Sequence, residues 1–584
     1  MEVLEEAGTP YHYSTLGKSQ EVKMVHGNHL KGGMELEEMT DFCLRHDIRL
    51  LIDTSHPFAE ALHHNVATLA SELDIPLIRY DRIYPPHSND IIWCADYNEA
   101  MAQLDEHGVS RLLALTGVNT ISRLRRYWEK HECWMRILNR PSSIETAKRQ
   151  GFPTDHLVYY EEESTTQQIS RIHPDGILTK ESGLSGGFME KVECARACNV
   201  KVFAVRRPPY PGTTSPKAKI GYVDGPHGLR LMVEKLLPTF YPLHSGLTTG
   251  TCATAAAVAE CIRQTTGEQP DEVAVVLPDG ETIHVEVGYG EGYSSVTKHS
   301  GDDPDVTNGI EVRASVAIGR KKESAMGQQI EIRGGEGVGT FTLPGFDYPP
   351  GSAAINKTPR MMISDNLRRI THEDLLTVTI SVPQGEEIAR RTFNPRLGIE
   401  GGISIIGVSG IVKPFSEEAF ILSIRKCMEV AKASGTERVV INSGAKSEKF
   451  VKGRYPDLPR QAFVEYGNYI GETLKMACEL EMPYITLGIM LGKAVKLAAG
   501  HLDTHSRKAT FDRGFISNML EEAHCTVDIG EITLARELWK KIPTERTGDF
   551  AKVVISHCEA VCRPLVGNSQ LTILLIDDEG QIYE

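Results

Sequence analysis

The sequence lacks any run approaching the ~20 apolar residues of a membrane-spanning helix, so no such helix is expected. It also lacks an excess of positive charge: 63 Lys and Arg stand against 78 Asp and Glu, a formal net charge of −15. Without a broad basic field neither nucleic acid nor an anionic membrane is an expected partner, whereas a local basic patch still suits an anionic small molecule. The opening Met1-Glu-Val-Leu-Glu-Glu lacks the basic residues that begin a signal peptide. The 12 cysteines lack the spacing of a disulfide framework. Thiols in a chain with no export signal are expected to stay reduced, and the reading is cytoplasmic. Cys194/Cys198 and Cys558/Cys562 are spaced for one helix face but lack partners for zinc, so no metal is expected there. Internal repeats, low-complexity tracts and the G-x-G-x-x-G dinucleotide fingerprint are missing too.

What is present is an ordinary globular composition, 41% hydrophobic and 24% charged, over 584 residues. At roughly 100–200 residues per domain, three or four domains are expected. Residues 1–240 alternate apolar runs (48–53, 111–116, 175–179, 200–205) with helical patterns (59–73, 187–197). That alternation predicts a Rossmann-like α/β domain on a parallel sheet. A proline-rich stretch from Arg206 and a short helix at 228–237 lead to a boundary near 240. Residues 241–395 are glycine-rich, with strands predicted at 272–277, 310–318 and 375–382, which suits a mixed α+β domain. Residues 396–584 return to the alternation of a second α/β domain. Its strands are predicted at 403–406, 438–441, 484–487 and 571–576, with a long helix at 416–434.

Five stretches of the second half carry candidate chemistry. A strand at 403–406 ending in Gly407-Val-Ser409-Gly410 would let a ligand approach the backbone, with Asn442-Ser443 at the end of the next strand beside a bound nucleoside. A plain connection is the alternative. Ser245-Gly-Leu-Thr248-Thr249-Gly-Thr251-Cys252 runs into an alanine-rich helix, which Thr249 or Thr251 can cap. Its N-terminus suits a carboxylate, and a thiol there has its pKa lowered, so Cys252 is a candidate nucleophile as well as a structural residue. The turn 298–308 packs Asp302, Asp303 and Asp305 together, either as an Asx-type turn or as a proton-handling or metal-binding group. Arg390, Arg391 and Arg396, with Lys357 and Arg360 upstream, match a polycarboxylate or a solvated surface. His501, Asp503 and His505 alternate before Ser506, as a hydrogen-bonded loop or as metal ligands.

Taken together, Ser-Gly-Leu-Thr-Thr-Gly-Thr-Cys-Ala (245–253), Gly-Asp-Asp-Pro-Asp-Val-Thr (301–307), Ala-Ile-Asn-Lys-Thr-Pro-Arg (354–360), the 402–414 run, Gly471-Glu472 and 497–506 resemble the CbiD family of cobalt-precorrin-5B C1-methyltransferases, colinearly over about 243–584. The resemblance implies methyl transfer from S-adenosylmethionine to a polycarboxylate cobalt-corrinoid, giving cobalt-precorrin-6A. On it, Gly407, Ser409, Gly410, Asn442 and Ser443 are expected at the cofactor. Thr248, Thr249, Thr251, Arg360, Arg390, Arg391, Arg396, His505 and Ser506 are expected at the substrate, and Asp302 or Asp305 as the proton carrier. His299 and Asn308 depart from the residues expected of relatives and are poor catalytic candidates.

In the first half, Leu51-Ile-Asp-Thr-Ser-His56-Pro-Phe-Ala, Leu115-Thr-Gly, Thr179-Lys-Glu-Ser182-Gly183-Leu-Ser-Gly-Gly with Lys191, and Val205-Arg-Arg-Pro resemble the CbiJ/CobK precorrin-6A reductases over about 1–235. Those enzymes use hydride from NADPH or NADH. Thr179, Ser182 and Gly183 are expected at the cofactor and His56 at the substrate. Relatives begin with a strand and a Gly-Gly-Thr phosphate loop, whereas Glu2–Gly8 reads as the end of the following helix. With the first strand missing, weak or absent NAD(P)H binding is expected. The leading expectation is a fused reductase–methyltransferase serving consecutive steps, possible as an oligomer. The alternatives are a methyltransferase with an inactive reductase-like scaffold and a non-enzymatic tetrapyrrole carrier.

Overall fold

In the N-terminal unit Leu112, Leu178 and Phe203 enter one core while their neighbours Leu113, Ile177 and Val202 enter another. Strand side chains alternate between faces, so both faces of the sheet are covered, as an all-parallel sheet requires. In this computed structural model, which describes residues 1–16, 24–212, 219–319, 328–373, 375–506, 508, 512–530, 532 and 535–584, that sheet has six parallel strands. Their order is Ile91–Cys94, Lys201–Val205, Gly176–Lys180, Arg111–Ala114, Glu132–Ile137, Leu157–Tyr159. A second parallel sheet orders Ile220–Val223, Leu77–Tyr80 and Leu51–Asp53, and Tyr11–Thr15 pairs with Gly27–Lys31 in a third. The Rossmann-like reading thus stands, with the parallel strands divided among three sheets.

The chain divides into two units, Met1–His244 with Asp279–His284, and Ser245–Pro278 with Val285–Glu584. The second unit contains two five-stranded sheets built on different rules. The first is mostly antiparallel: Gly288–Gly290, Tyr293–Thr297, Glu311–Gly319, Leu375–Ser381 and Gln329–Gly334, with only the last pair parallel. The helix Thr249–Thr266 packs between this sheet and the helix Lys357–Ile370. All residues from Thr249 to Cys261 are buried, so this helix has no solvent face and packs mostly through small side chains, which the alanines provide.

The other sheet runs Phe463–Glu465, Arg438–Asn442, Tyr484–Met490 and Gln570–Ile576 in parallel, closed by the antiparallel Ile582–Tyr583. In chain order this is 2-1-3-4-5, so the order reverses between Arg438–Asn442 and Tyr484–Met490. Ligand crevices in such sheets lie at the carboxyl ends of the strands flanking that reversal.

One expected element is absent. Residues 403–406 form no strand but two isolated bridges, Ile403 to Val338 and Ile405 to Ile355. Gly402 explains why. A Cβ there would fall 2.1 Å from the Gly337 carbonyl oxygen, so the segment crosses other chain too tightly to extend into a ladder. The turn at 407–410 therefore does not end a strand of the second α/β sheet. Among the described residues, no helix is long and apolar enough to cross a membrane.

Candidate functional site

In the second unit three of the motif segments meet at the start of the helix Thr249–Thr266. Thr248 is its N-cap, accepting from the Thr251 amide at 3.2 Å, in place of the expected Thr249 or Thr251. Those two hydroxyls tie the 404–411 segment down. Thr251 Oγ1 donates to the Gly410 carbonyl at 2.6 Å, and Thr249 Oγ1 accepts from the Ile406 amide at 2.9 Å. The Gly250 amide donates to the Ile406 carbonyl and the Thr248 amide to that of Gly410. Most donors expected to receive a ligand carboxylate are thus satisfied by the chain itself. Leu247 and Gly246 pair with Ile411 and Val412, and the Leu247 amide donates to the His299 carbonyl, which adds the acidic turn to the group.

The glycines serve these crossings. A Cβ on Gly407, whose φ is +151°, would lie 2.3 Å from Thr248 Oγ1, and one on Gly246 would strike the backbone of Ser300. They admit neighbouring chain where the sequence suggested a ligand. Gly407, Ser409 and Gly410 are also not joined to Asn442 and Ser443, which hydrogen-bond within the other sheet: Asn442 with Val464 and Gly444, and Ser443 with Ser447.

The acidic turn sorts its carboxylates. Asp305 accepts from Lys298 Nζ at 2.6 Å and from the Thr307 amide and hydroxyl, and Lys298 is 1% exposed. Burial alone would raise the Asp305 carboxyl, but the Lys298 ammonium and these donors hold it below the usual range. Asp305 is therefore the counter-ion of a buried lysine, a poor proton carrier. Asp303 accepts from the Phe415 amide, and Asp302 is exposed.

Cys252 is fully buried, and burial pushes its thiol up to about 12, which removes it as a nucleophile.

The expected arginine patch is mostly engaged elsewhere. Arg360 donates to the carbonyls of Ile355, Ile332 and Ala353 and lies over Tyr348, and Arg396 pairs with Glu448 at 2.8 Å. Arg390 makes a loose, exposed pair with Glu386. Among the described residues, the exposed Arg391, Lys357 and Lys413 have no carboxylate partner.

The segment around His505 and Ser506 is a hydrogen-bonded loop: the His505 amide donates to Asp503, which pairs with Lys508. Its two histidines form no three-ligand group. The one such group among the described residues is His227, Asp279 and Glu281, and there the Glu281 carboxylate accepts from the His227 and Gly228 amides at a helix start.

At the reversal point of the second α/β sheet stand groups that sequence reasoning missed. Glu465 ends the strand beside Asn442, and Gly444, at φ +143°, leaves a cradle in which a Cβ would sit 3.3 Å from Glu465 Oε1. Lys493 donates to the Gly467 carbonyl, and burial lowers its ammonium to about 8. The acidic strand end was legible in Phe463-Val-Glu465, but no spacing showed which strands are neighbours.

The N-terminal unit has a cleft of about 650 Å³ at the carboxyl ends of Leu51–Asp53, Leu77–Tyr80, Gly176–Lys180 and Lys201–Val205, lined by Arg79, Tyr84, Arg206, Arg207, Tyr210 and Tyr222 among others. Asp53 anchors one wall, accepting from His63, Ser55 and Tyr210 and lying 3.3 Å from Arg79. Next to it His56 is kept well below its ordinary value, at about 4, by burial and by Arg82, Lys180 and Lys191. Burial lowers Lys180 and Lys191 to about 8, and among the described residues neither forms an ion pair. Half-buried ammonium groups without a counter-ion are disfavoured, and although Lys191 donates to the Gly186 carbonyl, an anionic ligand is the expected complement of the pair. Thr179 Oγ1 is buried with no partner among the described residues. Gly183 has φ +73°, and Ser182 accepts from Arg82 through its carbonyl.

Residues 239–414 match the CbiD family, and residues 1–224 match precorrin-6x reductase CbiJ/CobK. A cobalt-precorrin-5B C(1)-methyltransferase from Prosthecochloris aestuarii is 40% identical over 348 residues, covering 57% of this chain and 94% of the relative. One from Brucella abortus (strain 2308) is 43% identical over 358 residues, 58% of this chain and 95% of the relative. Among solved structures, cobalamin biosynthesis protein CbiD from Archaeoglobus fulgidus is similar at 30% identity, covering 46% of this chain and 83% of that one, with a TM-score of 0.26. CobK precorrin-6A reductase is similar at 16% identity, covering 40% and 92%, with a TM-score of 0.33.

Proposed function

Because the chain belongs to the CbiD family of cobalt-precorrin-5B C(1)-methyltransferases and carries a CbiJ/CobK reductase domain ahead of it, we propose that its second unit methylates cobalt-precorrin-5B at C1 and that its N-terminal unit reduces the resulting cobalt-precorrin-6A. When bound, S-adenosylmethionine supplies an electrophilic methyl group and NADPH or NADH a hydride.

The observation that carries the methyltransferase reading is the junction at the start of the helix Thr249–Thr266. Residues 246–251, 299–305 and 404–412, far apart in sequence, are hydrogen-bonded into one rigid group there. Rigid placement is what in-line attack by a macrocycle carbon requires, since positioning supplies most of the rate in such a transfer. Asp302 is the exposed carboxylate of the group and the proton carrier in this reading. The Gly444 cradle beside Glu465 and Asn442 fits a nucleoside, whose ribose hydroxyls would donate to Glu465.

For the reductase reading, Lys180 and Lys191, which form no ion pair among the described residues, and the Thr179 hydroxyl, which has no partner among them, support an anionic ligand against the 179–187 loop. The aromatic and arginine lining of the cleft suits a flat polycarboxylate ring. Fusion of consecutive steps raises the local concentration of the shared intermediate. The test is transfer of a labelled methyl group from S-adenosylmethionine to cobalt-precorrin-5B by the purified chain, followed by NADPH oxidation on the product. Absence of label in the corrinoid ends the methyltransferase reading, and label without oxidation of either NADPH or NADH ends the reductase one.

A further inference from the structure

Of the cations that sequence reasoning offered to the substrate's carboxylates, Arg360 and Arg396 are occupied, while Arg391 and Lys357 have no carboxylate partner among the described residues, and neither has Lys413. Between residues 406 and 415 the chain exposes three large apolar side chains: Ile406 is 48% exposed, Val408 72% and Phe415 65%. Exposed apolar residues are unremarkable when scattered, but these lie on one short segment pinned against 246–250.

Phe415 is stranger still. Its φ is +54°, a left-handed conformation that a bulky residue rarely adopts. The conformation is held by the Phe415 amide, which donates to Asp303 Oδ1 at 2.9 Å, and by Ser416, which caps the next helix. Strain of this sort persists only where the surroundings enforce it, commonly at ligand sites.

Two lysines stand along this ledge. Lys413 is exposed directly beside Val412, which pairs with Gly246. Lys357 opens its helix next to Asn356, whose amide donates to the Ile405 carbonyl. Neither has a carboxylate partner among the described residues. The segment thus carries three exposed apolar side chains, with Lys413 on it and Lys357 on the helix that starts beside Ile405.

We propose that the segment Ile406, Val408 and Phe415, flanked by Lys357 and Lys413, is the platform on which the face of the tetrapyrrole substrate lies, with its carboxylate arms on the two lysines. This rests on the methyltransferase reading and adds the residues that hold the ring. The occupant is set by complementarity: a flat apolar ring with acidic arms matches an apolar strip with unpaired ammonium groups.

The test uses the full chain. Dicyanocobyrinic acid, an unreactive cobalt corrin with free carboxylates, is added while backbone hydrogen exchange is followed by mass spectrometry. Peptides spanning 404–416 should gain protection, and protection confined to other segments overturns the proposal. In methyl transfer, Lys357→Gln with Lys413→Gln should raise KM for the corrinoid about ten-fold with little change in kcat, the size expected for losing two exposed ion pairs, and Val408→Asp should separately raise KM by placing a like charge against the ring's acidic arms. Ile370→Asp, at the far end of the helix Lys357–Ile370, controls for added charge, and thermal melts check folding. Methyl transfer with an unmoved KM in the ledge variants defeats the ledge while the methyltransferase reading stands. Protection of 404–416 by the corrin without any methyl transfer leaves the ledge and removes that reading.

Discussion

Lys298 is among the largest fully buried side chains of the protein, and its charge is answered by Asp305. Breaking such a pair by removing one partner leaves an uncompensated charge and costs roughly 3–5 kcal/mol. Asp305→Asn is therefore expected to lower the denaturant midpoint of the second unit substantially, and Lys298→Met to cost less, because a neutral chain of similar shape replaces the ammonium. Since the Asp305 carboxyl lies below its ordinary value, the pair's contribution is present above the unfolded-state pKa of ~3.9 and is lost as the pH falls through the folded value. Denaturant titrations of wild type and Asp305→Asn should converge in acid. Gly407 gives a second residue-scale case: Gly407→Ala must move Thr248 and should cost about 1–3 kcal/mol. Thr248→Ala alone loses the helix cap, about 1 kcal/mol. The double variant should cost less than the sum, and additive melts would show that the two residues do not collide. The motif sequences announced that Thr248, Asp305 and Gly407 matter. They were silent on which hydroxyl caps and which carboxylate is neutralised, because those depend on the local course of the backbone, and on which glycine faces chain instead of ligand, because Gly407 meets Thr248 from more than a hundred residues away.

Elements were legible where their period was strong. The strands at 311–319, 375–381 and 570–576 and the helix from 417 to 433 agree with their apolar patterns within a residue or two. The failure at 403–406 is informative, since Ile403-Ser-Ile-Ile has strong strand propensity. Propensity reports fit to a pleated surface, and this segment instead passes between residues 337–339 and 354–356, making a single bridge to each. The helix Thr249–Thr266 shows the converse, a composition that makes sense only in packing. With Ala253, Ala255, Ala256, Ala257 and Ala259 all at 0% exposure, these alanines sit where the neighbouring elements leave no room for a larger side chain. Ala256→Leu is expected to cost about 1–3 kcal/mol by overpacking, and because this helix carries the junction at its first turn, methyl transfer should fall with stability. Calorimetry and labelled-methyl assays on the same preparation would check both, and an unchanged melting temperature would mean the surrounding elements relax freely.

At the scale of the whole chain, the two proposed activities rest on charges in separate units, which makes them separable by substitution. Lys180 and Lys191 carry folded values of about 8, so their positive charge is lost as the pH rises through that value. Affinity of the N-terminal unit for a polyanion should accordingly fall from about pH 7 to about pH 9. The same depression means that the unfolded chain holds more protons than the folded one between about 8 and 10.5, so stability of this unit should rise over that interval in the absence of ligand. Binding and stability thus respond to alkali with opposite signs, a pattern that a general loss of structure cannot produce. Lys180→Gln with Lys191→Gln should remove both trends together and depress NADPH oxidation. Labelled methyl transfer should be untouched, since neither lysine belongs to the unit that contains the methyltransferase junction. Parallel measurement of methyl label and NADPH oxidation across pH 6–10, wild type against the double variant, decides the matter. If methyl transfer fell along with reduction, the separation of the two chemistries by unit would be lost.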